Sequence, residues 1–194
     1  MRSTTFSRRT AGVLAAVALV SGTASAGVAH ADPSAVHVDV GGSGDATFAA
    51  DSFGTGGIVD TKPAGVRSYP NWGRSVPHPI PAEIWHTSRF TDSSYTVTGL
   101  TGGTTYEVRL YFMDWYFQRT GKRVFSVVIN GVEVLTNFDI TGTVVALGAD
   151  GQQSFGLERD FPVVVDSTGT VTIDFVRGSA DQPQINAISL VPIG

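Results

Sequence analysis

The segment Tyr111–Phe117 has the side chains best suited to hold a ligand. Five of its seven residues are aromatic, and a polar segment, Gln118–Arg123, follows directly. Because large apolar rings are unfavourable in water, a core strand that ends in solvent is expected to lose its aromatic residues there, yet this one gains them. Aromatic faces offer flat, weakly negative surfaces on which the C–H patches of a sugar ring can stack. The run predicts a ligand platform, with sugars as the favoured ligands.

Short β-strands are the elements that must position this platform. Apolar and polar residues alternate in Thr105–Phe112, Arg123–Ile129 and Gly169–Val176. Successive side chains of a strand point to opposite faces, so each run predicts one buried face and one solvated face. In the first run, Phe112 falls on the buried face and Tyr111 on the solvated face.

Turn signals separate these strands. Asn130-Gly131 stands between two apolar runs, and both residues accept the positive φ that a type I′ hairpin turn requires. Glycine-containing turns are also predicted at Gly99–Gly103 and Asp166–Gly169. About ten short strands at this spacing predict an all-β fold, a jelly-roll-like β-sandwich of two antiparallel sheets.

The segment Gly54–Ala82 is the least regular part of the sequence. It contains five prolines and the pair Gly56-Gly57, and prolines at this density exclude both a helix and a central strand. A long loop inside a compact domain is more often functional than accidental, and this one carries Tyr69 and Trp72. The alternative interpretation is a mobile linker.

Residues 1–31 have the pattern of a secretory signal peptide. Arginines precede the apolar run Ala11–Val20, and Ala29-His30-Ala31 forms an Ala-x-Ala cleavage site. The apolar run is shorter than the roughly 20 residues of a membrane span. We therefore expect cleavage before Asp32, a secreted protein, and one domain over residues 32–194 with no membrane insertion. The export route, general secretory or twin-arginine, stays open, and an uncleaved anchor is the alternative.

The composition excludes several classes of function. Without the arginines of residues 1–31, the chain has 10 Lys and Arg against 17 Asp and Glu, a net charge of −7 with neutral histidines. Binding to nucleic acid or to an anionic membrane needs clustered cations, so neither partner is expected. The lack of cysteine excludes thiol catalysis and disulfides. No metal site or cofactor is predicted, since the histidines are scattered over His30, His37, His78 and His86. A structural calcium ion in a loop such as residues 149–151 stays open, without a clear sequence signal.

Four segments, in order along the chain, are similar to those of a known family. They are Ala50–Gly57, Trp85–Phe90, Tyr106–Ile140 and Asp181–Ile188, and the third contains Tyr-Phe followed by Gly-Lys-Arg-Val-Phe-Ser-Val-Val-Ile-Asn-Gly and by Phe-Asp-Ile. On these motifs the chain resembles the malectin domain, a carbohydrate-binding module also found beside bacterial glycoside hydrolases. The founding animal member binds glucose-containing oligosaccharides with an α-linked diglucosyl unit. The resemblance therefore implies a jelly-roll-like β-sandwich that binds a glucan-type oligosaccharide without catalysis.

The resemblance also implies a binding site. Tyr116 and Phe117 match a Tyr-Phe pair that packs against the bound sugar. Asp181 matches an aspartate that accepts hydrogen bonds from sugar hydroxyls. Phe90 falls where the family usually has a tyrosine, so it can stack on a sugar but cannot donate a hydrogen bond.

Further site residues are implied less directly. Tyr69 is the candidate for the family's remaining aromatic residue, with Trp72 as its alternative. Asp114, which replaces a family glutamate, is expected to have a structural role and to orient nearby backbone groups or Arg123. Because Trp115 and Tyr116 face opposite sides of an extended chain, one of the two rings is expected in the core.

Two other functions remain open at this stage. A small glycoside hydrolase needs two carboxylates about 5–10 Å apart across a cleft, and Asp114 and Asp181 are candidates without a supporting catalytic signature. An envelope or matrix protein could use the same sandwich to bind another protein. The favoured interpretation is a secreted, non-enzymatic carbohydrate binder.

Overall fold

The computed structural model describes residues 34–193, and the predicted signal peptide over residues 1–31 lies outside them. The strands are β1 (Val36–Asp39), β2 (Gly54–Thr61), β3 (Ser68–Tyr69), β4 (Thr87–Val97), β5 (Thr105–Phe112), β6 (Val124–Ile129), β7 (Val132–Phe138), β8 (Ser154–Phe155), β9 (Leu157–Val164), β10 (Val171–Ala180), β11 (Gln184–Ile185) and β12 (Ala187–Pro192). The α-helix is α1 (Ile140–Ala146), and short 3-10 helices span Gly73–Ser75 and Ala82–His86. Within residues 34–193, the helices are too short or too polar to cross a membrane.

Two antiparallel sheets form the body of the fold. The first has the strand order β1-β12-β5-β9, and the second has the order β11-β4-β10-β6-β7. Strand β2 lies outside this order and pairs with β4 as well. Strands β3 and β8 form a separate parallel pair. The predicted all-β sandwich of antiparallel sheets is therefore confirmed.

Aromatic and aliphatic side chains from both sheets meet in one large core. Phe112, at the end of β5 in the first sheet, is fully buried. Its ring centroid lies 4.9 Å from that of Phe138, 6.0 Å from Phe125 and 6.4 Å from Phe175, all in the second sheet. Tilted and edge-on aromatic pairs of this kind add about 0.5–1.5 kcal/mol each beyond the area they bury. The strand end from which the aromatic run continues is thus firmly fixed.

The three predicted turns are confirmed, but only one of them joins neighbouring strands of a sheet. Asn130 and Gly131 have φ values of 49° and 78° and join β6 to β7 as a hairpin. The other two turns connect the sheets instead of neighbouring strands. Residues 99–103 lead from β4 to β5, and residues 166–169 lead from β9 to β10, so each turn crosses the sandwich.

The expectation that Tyr111 faces solvent is wrong. Tyr111 is 1% exposed and belongs to a second apolar cluster on the outer side of β5. The proline-rich segment and the 3-10 helix that follows it cover Tyr111. The Trp85 ring of that helix meets the Tyr111 ring edge-on at 5.8 Å, and the Tyr111 hydroxyl donates to the His78 carbonyl oxygen at 3.3 Å. The cover comes from a distant part of the chain, which alternation within β5 cannot reveal.

The prediction of a continuous loop over Gly54–Ala82 is also partly wrong, because its first eight residues form β2. This strand lies against β4, and Gly54 sits so close to Tyr95 that an added Cβ would lie 2.9 Å from the ring. The register shifts between Gly56 and Ile58, which is the irregularity that Gly56 and Gly57, both at positive φ, permit. Gly56 and Gly57, which were interpreted as loop residues, thus form the bulge of an edge strand.

Candidate functional site

Asp114 shapes the turn that follows β5. Its Oδ1 accepts hydrogen bonds from the backbone N–H groups of Tyr116 at 2.9 Å and Phe117 at 2.8 Å. The turn buries Trp115, which is 3% exposed, and turns Tyr116 outward, where 74% of it is exposed. The expectations that Asp114 orients backbone groups and that one of the two rings is core are both confirmed. Of the five aromatic residues in the run, only Tyr116 is largely exposed.

A buried arginine ties this turn to the loop before β11. Arg123 is 4% exposed, and its Nε donates to Asp114 Oδ2 at 2.7 Å. Its Nη1 donates to the Gln182 carbonyl oxygen at 2.6 Å and lies 3.2 Å from Asp181 Oδ2. Its guanidinium carbon lies 5.3 Å from the centre of the Phe117 ring. Arg123 therefore holds the aromatic turn and the Asp181 loop together.

A cavity of about 280 Å³ opens between these elements. Three residues predicted for the site line it: Phe90 from β4, Tyr116 from the turn and Asp181 from the loop. The other lining residues are Asp60, Arg123 and Gln184. Its volume falls just below the range of about 300–1,000 Å³ that is typical of ligand sites. The fold thus gathers two aromatic side chains, two carboxylates and a guanidinium group around one small cavity.

An open groove of about 1050 Å³ lies on the other side of Tyr116. Phe117 lines this groove and not the cavity, and its ring meets that of Tyr116 edge-on at 4.7 Å. Arg119, Lys122 and residues 150–152 supply polar walls. Tyr116 therefore lines both the cavity and the groove, whereas Phe117 lines only the groove.

Tyr69 lies elsewhere. It belongs to β3, where its ring stacks on Phe155 at 4.8 Å with an interplanar angle of 12°. Trp72 meets the same Phe155 ring edge-on and lines a separate hollow with residues 73–75 and Leu147. Neither residue lines the cavity or the groove. The structure thus brings together Tyr116, Phe90 and Asp181, places Phe117 at their border, and leaves Tyr69 apart.

Two residues that line the cavity, Asp60 and Gln184, are not among the site residues predicted from the sequence. Asp60 lies on β2, and the glycines of this strand had led to the prediction of a loop. Gln184 lies within the Asp181–Ile188 segment, so the resemblance to the family could have identified it. It is 3% exposed, its Nε2 donates to the Met113 carbonyl oxygen at 2.7 Å, and it pairs with Phe90 across β11 and β4.

A buried polar network anchors β2, and with it Asp60, to the sandwich. Arg89 forms an ion pair with Asp51 and donates through Nε to the Tyr95 hydroxyl oxygen at 3.1 Å. The Tyr95 hydroxyl in turn donates to Asp51 Oδ1 at 2.8 Å. Burial, assisted by the Asp51 charge, raises the pKa of Tyr95, so the hydroxyl stays a donor. The network fixes the chain that leads into β2.

Comparison with known proteins agrees with this architecture. The family model of the Malectin domain matches residues 36–188. The chain therefore belongs to the malectin domain family, whose members are generally binding modules. Membership supports a domain that binds carbohydrate or another ligand without catalysis. No curated protein matches the sequence.

Solved structures with the same fold are ectodomains of plant receptors. The ANXUR1 extracellular domain from Arabidopsis thaliana has 19% identity and a TM-score of 0.67, over 82% of this chain and 48% of that one. The ANX2 ectodomain from the same plant has 17% identity and a TM-score of 0.67, over 82% and 49%. A chain in the structure of plant peptide RALF23 in complex with FER and LLG2 has 17% identity and a TM-score of 0.65, over 82% and 48%. The chain spans about half the length of these ectodomains, and the likeness at this identity is one of fold.

Proposed function

We propose that this protein is a secreted, non-catalytic module that binds a glucose-containing oligo- or polysaccharide in the cavity beside Tyr116. One observation carries the proposal: Phe90, Tyr116 and Asp181, which are far apart in the sequence, line one cavity. A sugar presents C–H faces to rings and hydroxyl groups to carboxylates, and this cavity offers both kinds of partner.

Each lining residue has a distinct task in this proposal. Tyr116 and Phe90 stack on the sugar faces, at about 1 kcal/mol per ring. Asp181 and Asp60 accept hydrogen bonds from hydroxyl groups, since a carboxylate can take a pair of them. Arg123 keeps Asp181 in place through their 3.2 Å contact. Phe117 extends the apolar surface into the groove, where a longer glycan would continue.

The direct test is a glycan array probed with the mature protein. The proposal expects hits among glucose-containing oligosaccharides. An array without any glycan hit, together with a protein partner recovered in a pull-down, would replace it with the protein-binding alternative. That alternative has some support, because one protein of the same fold was solved in a complex with a peptide.

The hydrolase alternative loses one of its two candidate carboxylates. Asp114 is 3% exposed and is bound to Arg123 and two backbone N–H groups, so it cannot reach a substrate. Asp60 and Asp181 are the carboxylates that line the cavity among residues 34–193. Incubation with a panel of glucans should release no reducing sugar, and release that Asp181→Asn abolishes would establish catalysis instead.

Secretion is part of the same proposal. We infer that residues 1–31 are removed on export, as their basic, apolar and Ala-x-Ala regions indicate. Intact-mass analysis of the protein recovered from the culture medium should give a chain that begins at Asp32. Recovery of the uncleaved chain in the membrane fraction would contradict it.

A further inference from the structure

A second polar cluster lies on the opposite side of the first sheet from the core. In β9, Leu157 and Phe161 pack on the core, whereas Glu158 and Asp160 point to the outer face. His78, from the proline-rich segment, lies over them. Its Nδ1 is 2.7 Å from Glu158 Oε1 and 4.0 Å from Asp160 Oδ2.

The charges in this cluster are poorly balanced. The Glu158 side chain is fully buried, and that of Asp160 is 28% exposed. Within residues 34–193, neither carboxylate forms an ion pair with a lysine or an arginine; Arg109, opposite Asp160 on β5, pairs with Glu107. Two neighbouring carboxylates thus face one imidazole, and burying charge without compensation is costly.

One oxygen of the cluster also lacks a partner. Asp160 Oδ1 is shielded from solvent and has no hydrogen-bond partner within the described residues. A buried carboxylate oxygen is almost always hydrogen-bonded or bound to a cation. This oxygen belongs to the carboxylate whose other oxygen, Oδ2, lies 4.0 Å from His78 Nδ1, so a bound cation would serve a carboxylate that has no close donor within residues 34–193.

We propose that His78, Glu158 and Asp160 bind a Zn²⁺ ion. The ligand atoms of the three residues all lie within 4.8 Å of one another. Ligand atoms of a tetrahedral Zn²⁺ ion, each about 2.0–2.2 Å from the metal, lie about 3.4 Å apart. The observed 2.7 Å and 4.0 Å bracket this spacing, so small side-chain shifts admit the ion.

The donor set favours Zn²⁺ over Ca²⁺. An imidazole with two carboxylates suits Zn²⁺, whereas Ca²⁺ prefers six to eight oxygen ligands. The Zn²⁺ charge balances the two carboxylates, and binding displaces the proton between His78 Nδ1 and Glu158 Oε1. His78 is 40% exposed in its side chain and lines a cavity of about 290 Å³, which gives the ion a path from solvent.

The ion would fasten the proline-rich segment to the first sheet. The His78 backbone N–H already donates to Glu158 Oε2 at 2.8 Å, and the segment that follows supplies Ile84 and Trp85 to the second apolar cluster. A bound ion would therefore stabilise the cover over Tyr111. The cluster shares no residue with the lining of the cavity beside Tyr116, so the proposal does not depend on sugar binding.

Calorimetric titration of Zn²⁺ into the chelator-stripped mature protein, at mildly alkaline pH, tests the proposal. We expect one ion per chain and a higher thermal midpoint with Zn²⁺, and no response to Ca²⁺. Even groups that only orient metal ligands contribute about 10- to 100-fold to affinity, so His78→Gln and Asp160→Asn should each weaken binding at least about 100-fold. Asp160→Asn leaves the His78–Glu158 contacts intact and guards against a folding defect.

His86→Gln is the matched control, because His86 is an exposed histidine of the 3-10 helix that follows the proline-rich segment. It should bind Zn²⁺ like the parent protein. No binding to the parent protein, or the same affinity in folded His78→Gln and Asp160→Asn variants, would overturn the proposal. A loss in His86→Gln with none in Asp160→Asn would do so equally, by locating the ion elsewhere.

Discussion

Phe90 is the residue at which this chain differs most informatively from its family. It lines the cavity, where the resemblance leads one to expect a tyrosine, so a hydroxyl group is missing at the proposed sugar surface. A phenylalanine ring can still stack on a sugar, but it cannot form the hydrogen bond that a tyrosine hydroxyl would form. The ligand of this protein should therefore rely more on ring faces and on Asp181.

Restoring that hydroxyl should strengthen the binding of glucose-containing oligosaccharides. A net hydrogen bond contributes about 0.5–1.5 kcal/mol, so Phe90→Tyr should lower the dissociation constant roughly three- to tenfold in calorimetry. Phe53→Tyr adds the same group at a ring that is 38% exposed and lies outside the cavity. It should change nothing, and an equal gain in both variants would count against Phe90 as a contact.

His37 should make the fold sensitive to mild acid. Burial, and the nearby Arg109 charge, lower the pKa of His37 below its ordinary value of 6.5. The unfolded chain then binds the proton more readily, so the stabilising contribution is complete above about pH 6.5 and is lost as pH falls through the lowered value. Urea unfolding in the presence of a chelator should show this loss.

His37→Asn should remove that part of the pH dependence, since asparagine does not titrate and can still pair with the Ser189 hydroxyl, which lies 2.8 Å from His37 Nδ1. Parallel stability curves for the two proteins between about pH 7 and pH 5 would refute the assignment.

At the scale of elements, the turn after β5 depends on Asp114. One oxygen of its carboxylate caps two backbone N–H groups, and the other holds Arg123. Without Asp114, the buried Arg123 guanidinium keeps only the partly exposed Asp181 carboxylate as a counter-charge, and breaking a buried ion pair is strongly destabilising. The site is therefore built on a structural carboxylate, not on a catalytic one.

Asp114→Ala should lower the free energy of unfolding by about 3–5 kcal/mol in urea denaturation. Asp114→Asn retains an oxygen for the two N–H groups and should lose less. Equal losses in the two variants would show that the charge alone matters and that the turn does not depend on the cap.

The close approach of β2 to β4 gives a second prediction at this scale. An added Cβ at Gly54 would lie 2.9 Å from the Tyr95 ring. Gly54→Ala should lower the free energy of unfolding by about 1–3 kcal/mol, as overpacking does. Thr55→Ala, at the neighbouring exposed position, is the control and should have little effect. A stable Gly54→Ala protein would mean that β2 can move freely.

At the scale of the whole molecule, local patterns predicted the strands and the positions of the turns. Alternation located β5 and β6, and Asn130-Gly131 located a hairpin, because both signals depend on residues that are neighbours in sequence. The burial of Tyr111 was not predictable, since its cover comes from Trp85 and His78, far upstream.

The same distinction applies to the candidate site. The resemblance pointed to Tyr116, Phe90 and Asp181, and the fold brings these three together. Asp60 was not predicted as a site residue, because the glycine-rich edge strand β2 lacks a clear alternation of apolar and polar residues. The cluster that we propose binds Zn²⁺ was not predicted, because Glu158 and Asp160 meet His78 only after the proline-rich segment folds over β9. Contacts between distant segments are what the sequence alone did not reveal.

In our proposal, sugar binds at the exposed ring of Tyr116. Calorimetry with a glucose-containing oligosaccharide should show measurable binding to the parent protein and none to Tyr116→Ala, while circular dichroism shows both proteins folded, because a ring that is 74% exposed supports little of the core. Tyr69→Ala, the same change at a tyrosine that is 39% exposed and outside the cavity, should bind like the parent. Unchanged affinity in Tyr116→Ala, or a loss confined to Tyr69→Ala, would contradict the account.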